Sequence, residues 1–311
     1  MLRSKGWRIV LVAAVAAAAI WSYAFLSGEH GLAVTFLDVG EGACTVIRTP
    51  SGKTIVVDCG TSSWRKPESV GKKLVAPYLQ SLGVDTIDVA ILTHPHADHV
   101  SGYAGLLRAK PARIVIDIGE KHASPHYTAF LKSVELCNAT YRVARAGQLI
   151  DMGDGVSLRV LNPDPARAES DLNESSIVLR LTYGEAAFLL AADAGDDTER
   201  SILAGGAEVA SQVLQVGHHG SAGSTSPEWL AAVKPKLAVI SCGRRNEYGH
   251  PSRETTDRLR AFGVRTYRTD LHGAVEFTTN GKSISVRTFR HPGNVAGLGL
   301  LGSHLEGISR Q

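Results

Sequence analysis

Leu92-Thr93-His94-Pro95-His96-Ala97-Asp98-His99 is the stretch on which the fold turns. It completes the near-continuous apolar run 87–93, which reads as a strand buried on both faces. A helix is expected to begin near Asp98, so His94, His96, Asp98 and His99 crowd one strand-to-helix turn. His94 and His96 can share one ion, and Asp98 and His99 can reach a second beside it. Neutral imidazole and carboxylate suit zinc, manganese or iron. A lone histidine on a loop is ordinary surface chemistry, whereas this spacing after an apolar strand points to metal.

Two ions need more donors than this turn supplies. Asp193 ends the apolar stretch 187–192, where a buried carboxylate requires a compensating charge or metal. His218 and His219 follow the run 212–216, and His250 comes shortly after the strand 236–241. All of them fall at strand ends, where the sites of open α/β sheets collect. Asp38 and Asp58 also end strands, and such carboxylates either orient ligating histidines or cap turns. Arg244 and Arg245 precede His250 and either bind a phosphate or stand as solvated loop charges.

Around these positions short apolar stretches alternate with turn chemistry. Strands are expected over 32–38, 43–48 and 54–58, then a helix over 68–82 that stops before Gly83. The alternation continues through 102–108, 114–118, 126–137 and 156–161, and a strand pair 177–183 and 187–192 turns at Gly184. Ser226 with Pro227 opens one helix, and Ser252 caps another that ends at Gly263. Strands 273–279 and 283–289 close a hairpin through Asn280-Gly281. Strands dominate two halves, each followed by helices, with no linker between them. The expected fold is therefore α/β, a single four-layer αββα sandwich over 31–289. Residues 290–311 are Gly-rich and are expected to form a flexible tail.

The bulk numbers agree with a globular body. The 311 residues are 44% hydrophobic and 20% charged, which excludes a disordered or fibrous chain. Without Arg3, Lys5 and Arg8, the 33 Lys and Arg balance the 30 Asp and Glu, so total charge gives no argument for nucleic acid. Cys44, Cys59, Cys137 and Cys242 are too scattered for a zinc ribbon or a disulfide scaffold.

Those three N-terminal cations precede an apolar run over 9–26 broken only by Ser22. As a helix it would reach about 27 Å, close to a bilayer's hydrocarbon core. Trp21 and Tyr23 suit the interface at its far end. No small-x-small cleavage site follows, so residues 1–30 read as an uncleaved signal anchor in preference to a cleaved signal peptide. The basic flank stays in the cytoplasm, which places 31–289 on the extracytoplasmic side of the membrane.

Four motifs carry a family resemblance across residues 32–280. They are Phe36-Leu37-Asp38-Val39-Gly40-Glu41-Gly42, the histidine stretch itself, Gly217-His218-His219-Gly220-Ser221 and Asn246-Glu247-Tyr248-Gly249-His250-Pro251. The chain resembles the metallo-β-lactamase superfamily and, within it, the hydrolase domain of the competence DNA-uptake protein ComEC. The resemblance implies His94 and His96 on one metal, Asp98 and His99 on the other, Asp193 bridging both and His250 closing the second. A superfamily histidine usual ahead of the strand pair is missing, with Asn173 and Ser176 in that region. His218 is the expected replacement on the first metal and His219 a substrate contact, although the two remain interchangeable at this level. The implied cofactors are two divalent ions, Zn²⁺ or Mn²⁺. Only one apolar span is found, so the resemblance extends to the hydrolase part and not to a transport channel.

The expected function is hydrolysis by a metal-activated water, with Asp98 and His219 as the proton-handling candidates. DNA or another phosphodiester is the first substrate reading. A different extracytoplasmic ester or amide, such as a cell-envelope phosphoester or a β-lactam, is the second, and a metal-binding protein without turnover is the third.

Overall fold

The computed structural model describes residues 31–164, 171–244, 246–289 and 306–308. The expected anchor, Arg245 and most of the expected tail lie outside the described residues. Among the described residues no helix is long and apolar enough to cross a membrane.

Two sheets stack face to face. The first is nine-stranded, in the order Glu306–Ile308, Ile284–Phe289, Ala274–Thr279, Leu32–Phe36, Thr45–Arg48, Thr54–Val57, Ile87–Ile91, Ala112–Asp117, Thr140–Val143. The second is seven-stranded, running Arg265–Arg268, Leu237–Ile240, Val213–Gln215, Ala186–Leu190, Val178–Tyr183, Val156–Asn162, Leu149–Gly153. Each is antiparallel at one end and parallel at the other. The parallel runs are Thr54–Val57 through Thr140–Val143 in the first sheet and Ala186–Leu190 through Arg265–Arg268 in the second.

Period-two alternation explains why two sheets need four layers. In strand Ile87–Ile91, Val89 and Ile91 join the core between the sheets while Ala90 faces the outer side. Phe36 of the first sheet and Phe188 of the second both meet Phe277 edge-on, at 5.9 and 6.2 Å between ring centres. The outer face of the first sheet packs under Leu79, Tyr103, Leu106 and Phe130. The outer face of the second is covered by Ile202, Trp229, Leu230 and Leu259. This is the four-layer αββα arrangement.

Three strands escape the apolar pattern: Thr140–Val143, Leu149–Gly153 and Arg265–Arg268. Each lies at a sheet edge and has at most one buried residue, so no buried stripe marks it. Three residues of the expected loose tail, Glu306–Ile308, pair antiparallel with 284–286. Ser124, Ser226 and Ser252 each accept a hydrogen bond from the backbone three residues on, capping Pro125–Leu136, Pro227–Val233 and Arg253–Ala261.

Candidate metal centre

The site is built where the parallel strands of both sheets end. Asp58 follows Thr54–Val57, His94 follows Ile87–Ile91, and Asp193 follows Ala186–Leu190. His219 follows Val213–Gln215, and Ser241 follows Leu237–Ile240. His96 stands at the N-cap position of the short helix Ala97–Val100, which sets Asp98 and His99 on its first turn.

Two hydrogen bonds fix the state of two imidazoles. His99 Nδ1 lies 2.8 Å from Asp58 Oδ2, and His219 Nδ1 lies 2.8 Å from the Ser241 carbonyl. Both partners only accept, so each Nδ1 carries a proton, and each ring, when neutral, presents a lone pair at Nε2. Those lone pairs converge on carboxylates. His99 Nε2 is 3.1 Å from Asp193 Oδ1, while His219 Nε2 is 3.2 Å from Asp98 Oδ2 and 3.6 Å from Asp193 Oδ1. The two Nε2 atoms are 3.3 Å apart, and donor atoms of Asp98, His99, Asp193 and His219 all fall within 4.8 Å of one another.

Four acceptors facing one point repel unless a cation lies among them. Asp193 Oδ1 is buried and makes no hydrogen bond, an orphan that a metal ion would satisfy. The titration behaviour shows the same demand. Burial pulls the His219 imidazole down, but Asp193 and Asp98 outweigh it and carry it up to about 9. His99 likewise rises against its burial because Asp193 and Asp58 flank it. Burial pushes the Asp193 carboxyl up, and the neighbouring imidazoles bring it well below the usual carboxylate range. A divalent ion supplies that positive charge with nitrogen and oxygen donors of the right kind.

The other carboxylate oxygen faces a second histidine set. Asp193 Oδ2 lies 3.8 Å from His94 Nε2 and 3.7 Å from His218 Nε2. His94 Nε2 is in turn 3.1 Å from His96 Nδ1. Burial holds the His94 imidazole well below its ordinary value, hence neutral and able to ligate. Its Nδ1 touches the hydroxyls of Thr93 at 3.2 Å and Ser176 at 3.3 Å. Ser176, in the region where a family histidine is missing, thus contacts a ring of the first group.

The chain divides neighbouring imidazoles between the two oxygens by an unusual backbone. His218 and His219 both have positive φ, 47° and 53°, as do Ala192 at 48° and Asp58 at 59°. Each left-handed non-glycine residue costs about 1–3 kcal/mol and persists where the surroundings over-determine it. Here the strain turns two adjacent side chains toward opposite sides of Asp193.

His250 stands apart from the group in which the family resemblance put it. Its ring stacks on His219 at 6.0 Å and meets His218 at 5.6 Å. Its Nδ1 is 3.0 Å from Glu41 Oε1, and Glu41 Oε2 accepts a 2.7 Å bond from the Gly243 N–H. His219, expected as a substrate contact, is buried beside Asp98, His99 and Asp193. Glu41 belongs to the first family motif but has no role readable from sequence alone; an acid between two glycines is the available signal. Asp38 is exposed and accepts from the Gly40 N–H, so it caps a turn, whereas Asp58 orients His99. Arg244 is exposed and donates to the Asp270 carbonyl. The four cysteines are free.

Asp58 gives a direct prediction. Asp58→Asn keeps an acceptor for the Thr93 N–H but removes the charge that holds His99 Nδ1–H. Metal affinity is expected to fall about 10–100-fold, measured by competition with a chelating dye. Unchanged affinity would reduce Asp58 to a turn residue.

Comparison with known proteins bears on the family and the fold. The profile of the metallo-beta-lactamase superfamily matches residues 37–244. The chain is 30% identical over 269 residues to ComE operon protein 3 of Bacillus subtilis, covering 83% of this chain and 34% of that protein. It is also 30% identical over 263 residues to competence protein ComA of Neisseria gonorrhoeae, covering 84% and 34%. The chain thus spans about a third of the length of these relatives. Among solved structures, Igni18, a metallo hydrolase from Ignicoccus hospitalis, superposes with a TM-score of 0.53 at 14% identity, covering 80% of this chain and 100% of that one. The last likeness shows the fold alone. The chain belongs to the metallo-β-lactamase superfamily and is a metal-dependent hydrolase.

Proposed function

We propose that this chain is a binuclear phosphodiesterase whose substrate is nucleic acid. The observation that carries the binuclear reading is the division of Asp193, with Oδ1 toward His99 and His219 and Oδ2 toward His94 and His218. One ion would be held by Asp98, His99, His219 and Asp193, the other by His94, His96 and Asp193 with His218 beside it. Bound there, two divalent ions, Zn²⁺ or Mn²⁺, would supply Lewis acidity toward water and the phosphoryl oxygen. Asp98 is the one carboxylate of the group that reaches solvent, at 21% side-chain exposure, and is placed to orient water and take its proton. As water adds to phosphorus, the bond to one ester oxygen breaks and that oxygen leaves with a proton. Glu41 fixes the His250 ring at the rim, where it would contact the substrate.

The nucleic-acid part rests on a relative named for competence and on the four motifs that carry the family resemblance. Incubating the metal-replete protein with phosphodiesters, phosphomonoesters, thioesters and a β-lactam tests it. Diester cleavage is expected; activity confined to any other class would replace the reading.

We also propose that residues 1–30 anchor the chain and that 31–289 forms the catalytic domain outside the cytoplasm. The basis is the basic flank and the 18-residue apolar run over 9–26. A reporter fused after Phe289 is expected to work only in the extracytoplasmic compartment. Cytoplasmic reporter activity would overturn anchor and orientation together.

A further inference from the structure

The turn that leaves the metal centre opens into a basic groove. Gly60 lies against the peptide joining Asp98 to His99, so closely that a Cβ there would sit 2.4 Å from the His99 nitrogen. Three residues on, Ser63 Oγ accepts a 2.6 Å hydrogen bond from the N–H of Glu41, the residue that holds His250. The chain then lines an open groove of about 670 Å³ with Ser63, Trp64, Arg65, Lys66, Ser69 and Lys73. Ser63 and Glu41 thus link the groove to the rim histidine.

Its chemistry is one-sided. Within residues 61–75, Arg65, Lys66, Lys72 and Lys73 stand against a single carboxylate, Glu68. All four cations are exposed, and none pairs with a carboxylate among the described residues. Crowded like charges repel, so the fold gains nothing from crowding them here. Trp64 is half-buried and packs on the outer core, which fixes its ring beside these cations. An aromatic platform flanked by cations is the arrangement that holds an unstacked nucleotide strand.

We propose that this groove binds a single-stranded polynucleotide on one side of the phosphodiester being hydrolysed. Trp64 stacks a base, while Arg65, Lys66 and Lys73 meet backbone phosphates. A single strand is specified because a base must leave its helix to reach a side-chain ring. The assignment rests on the phosphodiesterase reading.

The test uses the full, metal-loaded chain and compares kcat/KM for a dinucleotide with that for a single-stranded oligonucleotide long enough to lie along the groove. The variants are Lys66→Ala/Lys73→Ala, both at exposed positions, and Trp64→Leu, which keeps apolar packing while removing the aromatic face. In each, the oligonucleotide-to-dinucleotide ratio is expected to fall about tenfold, mostly through KM. The double variant should also flatten the salt dependence of oligonucleotide binding, by about 0.7 in log–log slope for each phosphate no longer neutralised. A ratio and slope equal to wild type would overturn the groove. So would a wild-type enzyme indifferent to length, or variants that weaken duplex more than single strand; each leaves the phosphodiesterase reading intact. Failure of wild type on every diester would overturn that reading first, and the groove with it.

Discussion

Replacing Asp193 by Asn is expected to lower kcat/KM by about 10³-fold or more and to drop metal content below two ions per chain. The substitution keeps the shape and removes one negative charge from a buried position shared by both histidine sets. Two unit charges 4 Å apart interact by ~4 kcal/mol at an effective dielectric near 20, and two divalent ions by several times that. Among the described residues Asp193 is the only buried carboxylate with an oxygen toward each set, so no neighbour compensates its loss. Elemental analysis and steady-state kinetics on the same sample check the claim. A fully active Asn variant retaining two ions would show that the carboxylate does not bridge.

The second large effect separates the histidines of the last third. His219→Ala removes an Nε2 that lies within 3.6 Å of Asp98, His99 and Asp193. Metal content is expected to fall from two ions to one, with activity down at least about 100-fold. His250→Ala, whose ring stacks outside that group and is held by Glu41, is expected to keep both ions and lose activity through substrate contacts. The reverse pattern, an ion lost with His250 and retained without His219, would restore the ligand set implied by the family resemblance.

The contrast shows where sequence reading stops. The strand Ile87–Ile91 and the donors after it are legible because an apolar run and a ligand cluster sit side by side in the chain. Asp58 is legible as a strand-end acid, but its preference over Asp38 depends on where the two sheets bring His99. The choice between His218 and His219 hinges on two positive φ values, which a pair of histidines does not signal. Glu41 and His250 are 209 residues apart, and only the fold pairs them. The edge strand Thr140–Val143 is invisible to periodicity because exposure erases the pattern that marks a strand.

Two metal ions on opposite sides of Asp193 would be located outright by anomalous diffraction from crystals of the Mn²⁺- or Zn²⁺-loaded protein. Two peaks are predicted, one among Asp98, His99, His219 and Asp193 Oδ1, the other among His94, His96 and Asp193 Oδ2. A single peak at full loading, or peaks away from Asp193, would contradict the binuclear centre.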